Sequence, residues 1–438
     1  MKRVLVISYY WPPSGGAGVQ RWLKFVKYLR GLGWEPVIYT AENPEVPAID
    51  NSLLSDVPEN IEVIKTKIWE PFTIYKRFVG RKKEDKIKAG FLSEEKAPSK
   101  AENISVWVRG NFFVPDARKF WIKPSIKFLK KYLRENPVDA MVSTGPPHSM
   151  HLIALGLKRD LGIPWLADFR DPWTNIDFYQ DLMLTGFADK KHHRLEQKVL
   201  RGADIITTIG RSLAKDLEEL GKRRVDVVTN GFDSPDFSSL FEPEIEKFEI
   251  CHMGSMNKDR NPVSLWSVLR DLCTSVDGFK ANLRISFLGF TDYAVSKSLE
   301  ENDLAHYSEI VKYIPHKEVL QRAKSASVLL LALNDTPNVK GIMPGKLFEY
   351  LALKKPIFCI GNRQGDSSRA ILETRSGITV DFNDKEAMKN YLLDKYQDFK
   401  KGNGFVVDSV GTEKYSRKEL TVRMASLLDE MVKNNLKH

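Results

Sequence analysis

The stretch RVLVISYYWPPSGGAGVQRWLKFVKYLRGLG (Arg3–Gly33) decides the fold class. RVLVIS is short, apolar and β-branched, as a strand buried on both faces of a parallel sheet must be. A loop carrying Gly15, Gly16 and Gly18 follows at once. Beyond it Val19, Trp22, Leu23, Val26 and Leu29 recur at helical spacing, and Gly31 or Gly33 ends the helix they predict. Glycines in such a loop let backbone amides approach an anion at the helix N-terminus. A dinucleotide-binding loop would read GxGxxG. Here Arg21 stands at the third glycine, where it is expected to block close helix–strand packing. Glu42, after PVIYT, is still placed to hold a ribose, so a dehydrogenase is disfavoured but not excluded. The plainer reading is a loop rich in glycine only for its turn.

The same alternation runs along most of the chain. PVIYT, IEVIKTK, DAMVSTG, PWLADFR, ADIITTIG and VDVVTNG read as further strands, with amphipathic helices between several of them. Asp233–Lys247 is rich in proline, serine and acid and has no period. After it the alternation restarts with FEICHMG, LRISFLG, VKYIP, SVLLLAL, PIFCIG and GITVD. The predicted architecture is α/β, with two doubly wound Rossmann-like domains in series. Residues 1–235 form the first, 236–247 a linker, 248–411 the second, and 412–438 a closing helix. Residues 68–120 fit no alternation and read as an insertion in the first domain. Asn230 and Gly231 read as a tight turn.

At 438 residues the chain exceeds what one core usually serves. Three cysteines, Cys251, Cys273 and Cys359, form no CxxC pair and read as reduced thiols of a cytoplasmic protein. The N-terminus reads as a strand, not a signal segment, and no apolar run approaches the ~20 residues that span a bilayer. The net charge of +10 is unevenly placed, since residues 65–135 hold 19 Lys and Arg against 8 Asp and Glu. That segment is also aromatic, as in VWVRGNFFVPDARKFW. Basic residues interleaved with Trp and Phe suit an anionic membrane surface or a single-stranded nucleic acid. The bland alternative is a solvated basic face.

GIMPGKLFEYLALKKPIFCIG (Gly341–Gly361) carries the chemistry of the second domain. Pro344 and Gly345 open a helix on which Lys346 and Glu349 share a face. A cation at a helix N-terminus favours a phosphate, and a carboxylate accepts hydrogen bonds from sugar hydroxyls. An exposed i, i+3 salt bridge is the alternative. Asp-x-Asp, HExxH and Cys/His clusters are missing from the sequence, so no metal is expected.

PGKLFEYLALKKPI resembles the nucleotide-sugar motif of family-4 retaining glycosyltransferases of the GT-B fold. The order of motifs adds to the resemblance, which spans nearly the whole chain: PPSGGAG after the first strand, VVTNGFD closing the first domain, CHMGSMNKDR opening the second. FVPDARKFW, STGPPHS and LADFRDPW resemble a branch that builds cell-surface polysaccharides. The resemblance implies two domains facing a cleft, the first for acceptor and the second for donor, with the last helix crossing back to the first. It implies that Glu349 holds the nucleotide ribose, and that Met343, Pro344, Gly345 and Lys346 border the donor. Arg260, with Lys258 beside it, matches the basic residue on the donor diphosphate, and Gly15 and Gly16 face that diphosphate. The reaction implied is sugar transfer from a nucleotide diphosphate to a glycan or lipid-linked acceptor, with retention of configuration and no cofactor.

His148, Arg260 and Lys346 are the catalytic candidates. His148 follows a strand at the cleft edge, where it can orient acceptor or donor sugar; a locally satisfied turn histidine is the alternative, and His151 reads as packing. Asp168, Arg170 and Asp171 are the acceptor-side candidates, against a structural reading as paired charges. Two departures stand out. Gly341 replaces the first of the family's two glutamates, and Ser255 replaces its first arginine. The partners expected are a nucleotide sugar, the acceptor and the inner membrane face, with no nucleic acid. The rival readings are a nucleotide-sugar epimerase or hydrolase of the same fold, and a non-catalytic membrane-associated scaffold.

Overall fold

The computed structural model describes residues 1–46, 48–70, 100–241, 244–312, 314–402 and 405–436. The chain divides into two units, Met1–Thr229 with Lys418–His438, and Asn230–Arg417. Part of the expected insertion, residues 71–99, lies outside the described residues.

The first unit is built on β1 (Lys2–Ile7), β2 (Trp34–Ala41), β3 (Glu62–Thr66), β4 (Ala140–Gly145), β5 (Trp165–Phe169), β6 (Ile205–Thr208) and β7 (Asp226–Val227). They form one parallel sheet in the order β3-β2-β1-β4-β5-β6-β7. The connecting helices are α1 (Ala17–Leu29), α2 (Lys100–Phe112), α3 (Lys119–Glu135), α4 (Ser149–Leu161), α5 (Gly186–Gly202) and α6 (Arg211–Gly221). Apolar strands leave no polar face: Leu5 and Ile7 enter one core layer with Trp121 and Trp165, while Val4 and Val6 enter the other with Trp22 and Leu23. α1 ends in a 3-10 turn closed by Gly33 at φ 84°, a conformation glycine takes at no steric cost.

The second unit repeats the plan with β8 (Phe248–Met253), β9 (Leu283–Leu288), β10 (Ser308–Val311), β11 (Val328–Ala332), β12 (Ile357–Ile360) and β13 (Gly377–Val380). Their order is β10-β9-β8-β11-β12-β13, again parallel. Its longer helices are α7 (Val263–Ser275), α8 (Tyr293–Glu301), α9 (His316–Lys324), α10 (Gly345–Leu353), α11 (Asp366–Glu373) and α12 (Lys385–Lys400). The edge strand β10 starts three residues before the VKYIP stretch of the sequence reading. The last helix, α13 (Arg417–Asn435), puts Leu420, Met424, Leu427, Leu428 and Met431 into the Val4–Val6 layer of the first unit. Asn230–Gly231 forms no turn; the backbone runs on to Phe232, which bridges to Ser416.

Arg21 does not block the packing of α1. Its side chain is 1% exposed and lies against Asp168, itself fully buried in β5. Nε and Nη2 donate to the two Asp168 oxygens at 3.0 and 2.8 Å, and Nη1 and Nη2 donate to the Thr229 and Val228 carbonyls at 2.8 Å each. Trp22 Nε1, Thr144 Oγ1 and Thr207 Oγ1 also donate to Asp168, at 2.8, 3.1 and 2.9 Å. Burial alone would raise the Asp168 pKa, but Arg21 and these donors hold it below the ordinary carboxyl value. Removing one partner strands a buried charge. Arg21→Met and Asp168→Asn are each expected to lower the unfolding free energy by about 3–5 kcal/mol. Urea unfolding measures this, and a loss under about 1 kcal/mol would show the pair to be dispensable.

Candidate functional site

In the second unit, β8 has β9 on one side and β11 on the other, so the winding reverses between β8 and β11. Crevices at such points, beyond the carboxyl ends of strands, receive ligands in open α/β sheets. The β8–β11 pairing covers only Val328↔Ile250 and Leu329↔Cys251. Beyond it, side chains replace the ladder. The Leu330 carbonyl accepts from His252 Nδ1 at 3.0 Å and from Tyr350 Oη at 3.2 Å. Tyr350 Oη in turn accepts from the Met253 amide at 2.9 Å, so α10 is fastened across the opening.

Lys346, in the first turn of α10, is drawn into this opening. Its Nζ lies 2.9 Å from His252 Nε2 and 3.4 Å from the Ser255 carbonyl. Arg260 reaches the same carbonyl through Nη1 at 3.2 Å, while its Nε donates to Asn334 Oδ1 at 2.6 Å. Gly254 sits at φ 76°, a backbone conformation that favours glycine, and a Cβ there would touch Lys346 Nζ at 3.4 Å. Burial and then Arg260 push the Lys346 ammonium down to about 7, with Glu349 acting in the opposite direction. Lys346 and Glu349 do not pair with each other: Glu349 Oε1 accepts from His316 Nε2 at 2.9 Å.

The first unit reverses its winding between β1 and β4. The glycine loop after β1 is pinned there. Gly15 N donates to Ala48 O and Asp50 N to Pro13 O, each at 2.8 Å, and Ser14 bridges to Ile49. Arg170 holds the far side of the loop, donating from Nη1 to Gly18 O at 2.8 Å, from Nε to Gly145 O at 3.3 Å, and from Nη2 to Pro146 O. Past β4, His148 caps α4 and stacks on Trp173 with centroids 4.5 Å apart and planes 7° apart. Asp116 accepts from the Ser149 amide and hydroxyl at 2.9 and 2.8 Å and so fixes the start of α4. His148 and Trp173 wall a cavity of about 290 Å³ with Tyr10, Phe113, Phe178 and Tyr179.

The sequence profile described as Glycosyltransferase Family 4 matches residues 15–234, half of the chain. The chain belongs to glycosyltransferase family 4. No curated protein matches its sequence. Among solved structures it is similar to sucrose-phosphate synthase from Thermosynechococcus elongatus, at 12% identity and TM-score 0.64, over 99% of this chain and 100% of that one. It is also similar to the N-terminal domain of Candida albicans trehalose-6-phosphate phosphatase, at 12% and 0.59, over 98% and 97%. A third is WaaG, a glycosyltransferase involved in lipopolysaccharide biosynthesis, at 11% and 0.55, over 98% of each chain. At such identities these likenesses show the fold, which is GT-B.

In this family-4 chain the residues expected at the donor separate into two groups. Ser255, Arg260 and Lys346 meet within hydrogen-bonding distance, with Gly345 exposed at the first position of α10 and Pro344 as its N-cap. Lys258 is exposed and opens the 3-10 turn that carries Arg260. Met343 is instead 7% exposed and packs in the core with Leu347, so its side chain lines no donor space. The Gly15 amide is already given to Ala48, so it is not available to a diphosphate; Gly16, at φ 98°, remains at the N-terminus of α1. On the acceptor side, Asp168 has both oxygens taken by protein donors and Arg170 is committed to three carbonyls, so both hold the scaffold. Asp171 is exposed. His252, Asn334 and Trp173 went unread in the sequence, and Arg21 was read as an obstacle to packing; a histidine inside the apolar run FEICHM was the available signal for one of them.

His151 accounts for a structural need. It is fully buried, stacks on Phe169 at 4.5 Å, and lies 2.8 Å from Ser143 Oγ through Nδ1. Burial lowers its pKa to about 3, and lowers those of His148, His192 and His252 as well. A base depressed on folding gives stability that is whole above the unfolded value near 6.5 and is lost as pH falls toward the folded value. His151→Asn keeps a group for Ser143 and removes one such proton. The slope of unfolding free energy against pH, between about 5.5 and 4, should then fall by about 1.4 kcal/mol per pH unit. Urea titrations across that range check it; an unchanged slope would mean the folded ring already carries the proton.

Proposed function

We propose that the chain transfers a sugar from a nucleotide-diphosphate sugar to a glycan or lipid-linked acceptor, with retention of configuration, in cell-surface polysaccharide synthesis. The observation that carries the donor assignment is the meeting of Lys346 and Arg260 at the Ser255 carbonyl, beside the N-terminus of α10. A leaving diphosphate gains charge as the sugar departs. Fixed cations and a helix N-terminus aimed at that charge lower the barrier, each such donor contributing a few kcal/mol in other enzymes, roughly 3–4. Glu349, one turn along α10, accepts from the ribose hydroxyls. The departing phosphate helps deprotonate the acceptor on the same face, which asks for no separate base. His148, kept neutral by burial, orients the acceptor or donor sugar.

No metal is assigned to this chemistry. Among the described residues, no three His, Cys, Asp or Glu side chains group as metal ligands.

The acceptor assignment rests on the first unit. α3 turns Trp121, Ser125, Leu129 and Leu133 inward. Its outer face presents Lys123, Lys127, Lys131 and Arg134 with Phe120 and Phe128, both 42% exposed. Trp107 and Phe112 of α2 are exposed too. Among the described residues no helix is long and apolar enough to cross a membrane. Basic and aromatic side chains on one helix face suit peripheral attachment to an anionic leaflet, where lipid-linked acceptors reside.

Lys346→Ala and Glu349→Ala are expected to weaken nucleotide-sugar binding by roughly tenfold or more without lowering the melting temperature. Calorimetric titration with UDP and GDP sugars reads this; parent-like affinity in both variants would remove the site. Turnover that needs no acceptor would point instead to an epimerase or hydrolase. Separately, Lys123→Glu with Lys127→Glu and Lys131→Glu should abolish flotation with vesicles rich in phosphatidylglycerol. Flotation equal to the parent's would set the membrane role aside.

A further inference from the structure

The donor reading above uses Lys346, Arg260 and Glu349 but leaves His252 without a part. His252 is 1% exposed at the carboxyl end of β8. Its two nitrogens do different things. Nδ1 lies 3.0 Å from the Leu330 carbonyl, which can only accept, so Nδ1 carries the hydrogen. Nε2 also lies 3.4 Å from the Ser255 carbonyl, the longer of the two carbonyl contacts; in a neutral ring the single hydrogen sits at the shorter one, and the lone pair is on Nε2. That atom faces Lys346 Nζ at 2.9 Å, and the ammonium donates to it. The strand thus fixes the ring, and the ring fixes the cation.

We propose that His252 is a positioning residue for the donor nucleotide's diphosphate: its Nε2 lone pair holds the Lys346 ammonium at the mouth of the β8–β11 crevice. The inference rests on the donor assignment of the preceding subsection.

The groups facing Lys346 come from three elements. His252 and Cys251 lie on β8, Arg260 on the turn that follows, and Glu349 on α10 itself with His316 of α9 against it. Cys251 is buried and burial pushes its thiol up, so it brings no charge. Burial likewise keeps His252 neutral, with Lys346 beside it acting the same way. Arg260 disfavours a second positive charge, Glu349 favours it, and the balance leaves the free Lys346 at about 7. A diphosphate adds negative charge at the same mouth and stabilises the ammonium. Binding therefore takes up part of a proton from solvent near neutral pH and approaches one as pH rises above about 7. Affinity is complete below about 7 and declines as pH rises through that value.

Two substitutions separate this role from a purely structural one. His252→Asn places an amide where Nδ1 was, so the Leu330 contact survives and the acceptor for Lys346 is lost. His252→Gln places its amide oxygen near Nε2, so the acceptor survives and the Leu330 contact is lost. The test is calorimetric titration of UDP, GDP, ADP, CDP and dTDP with the full chain from about pH 6 to 9, in buffers of different ionisation enthalpy to count protons. The parent should bind at least one diphosphate with proton uptake. His252→Asn should bind it roughly tenfold more weakly and lose affinity from a lower pH. His252→Gln should behave as the parent even where its melting temperature is lower. If His252→Asn matches the parent and His252→Gln does not, His252 merely packs β8 against β11 and the proposal falls while the donor reading stands. If affinity in the parent is flat with pH, the proton uptake is wrong. Binding of none of the five by the parent overturns the donor reading and this inference together.

Discussion

The guanidinium of Arg21 and the carboxylate of Asp168 lie in a layer where almost everything else is hydrocarbon. Charges so placed cost far more to desolvate than they return unless every donor and acceptor is met. Here they are met by groups from five segments. Arg21 and Trp22 come from α1, Thr144 from β4, Asp168 from β5, Thr207 from β6, and the Val228 and Thr229 carbonyls follow β7. One ion pair therefore sets the rotation of α1 against the four strands on one side of β1. That rotation fixes where α1 begins, and so where the glycine loop stands. Arg170, just past the end of the strand that carries Asp168, then ties Gly18 to the end of β4. The loop's position is determined from beneath by charge and from beside by hydrogen bonds.

The second unit solves the same topological problem with different chemistry. At its point of reversal the ladder stops after Cys251, and a backbone carbonyl at Leu330 is left facing the opening. An orphan carbonyl in a buried place must find donors. His252 and Tyr350 supply them, one from the strand and one from the helix. This solution has a consequence for the surface. A histidine spent on a carbonyl through one nitrogen presents a lone pair through the other. Among the described residues, Lys346 is the side chain within hydrogen-bonding distance of that lone pair. Satisfaction of the interior thus determines where a cation stands at the rim.

The alternation of strand and helix was legible because parallel strands buried on both faces must be short apolar runs. RVLVIS, DAMVSTG and FEICHMG could be read directly for that reason. Lys346 and Glu349 were legible because three-residue spacing on a helix is a local property. Their partners were not. Sequence spacing offers an i, i+3 salt bridge between the two, whereas His252 and His316 come from elements 94 and 33 residues away in the chain. Arg21 was misread for a related reason. Its effect on packing depends on whether a carboxylate waits inside, and Asp168 lies 147 residues on. Asp168 itself sat in the apolar run WLADF, where a charge is tolerated only with a partner. Its burial explains why a strand-end acid that looked chemical is structural, while the histidine before α4 lines a cavity.

Lys346 is directed by its neighbours more than it is neutralised by them. Its hydrogen-bond partners are a histidine lone pair and a carbonyl, both neutral. A neutral acceptor directs an ammonium but compensates little of its charge. Arg260 shares the same carbonyl and raises the local positive potential further. The folded chain therefore keeps a positive potential at this rim, and burial with Arg260 pulls the Lys346 ammonium down to about 7 against the pull of Glu349. Preorganised charge of this kind acts on a transition state more than on a ground state when negative charge grows during reaction. A diphosphate leaving from a sugar is such a case, because its charge is greatest once the bond to the anomeric carbon has lengthened. On the proposed donor reading, the same cations would both bind the donor and favour its cleavage. Geometry that satisfies the interior of the second sheet and chemistry that suits a glycosyltransferase are, at His252 and Lys346, one arrangement.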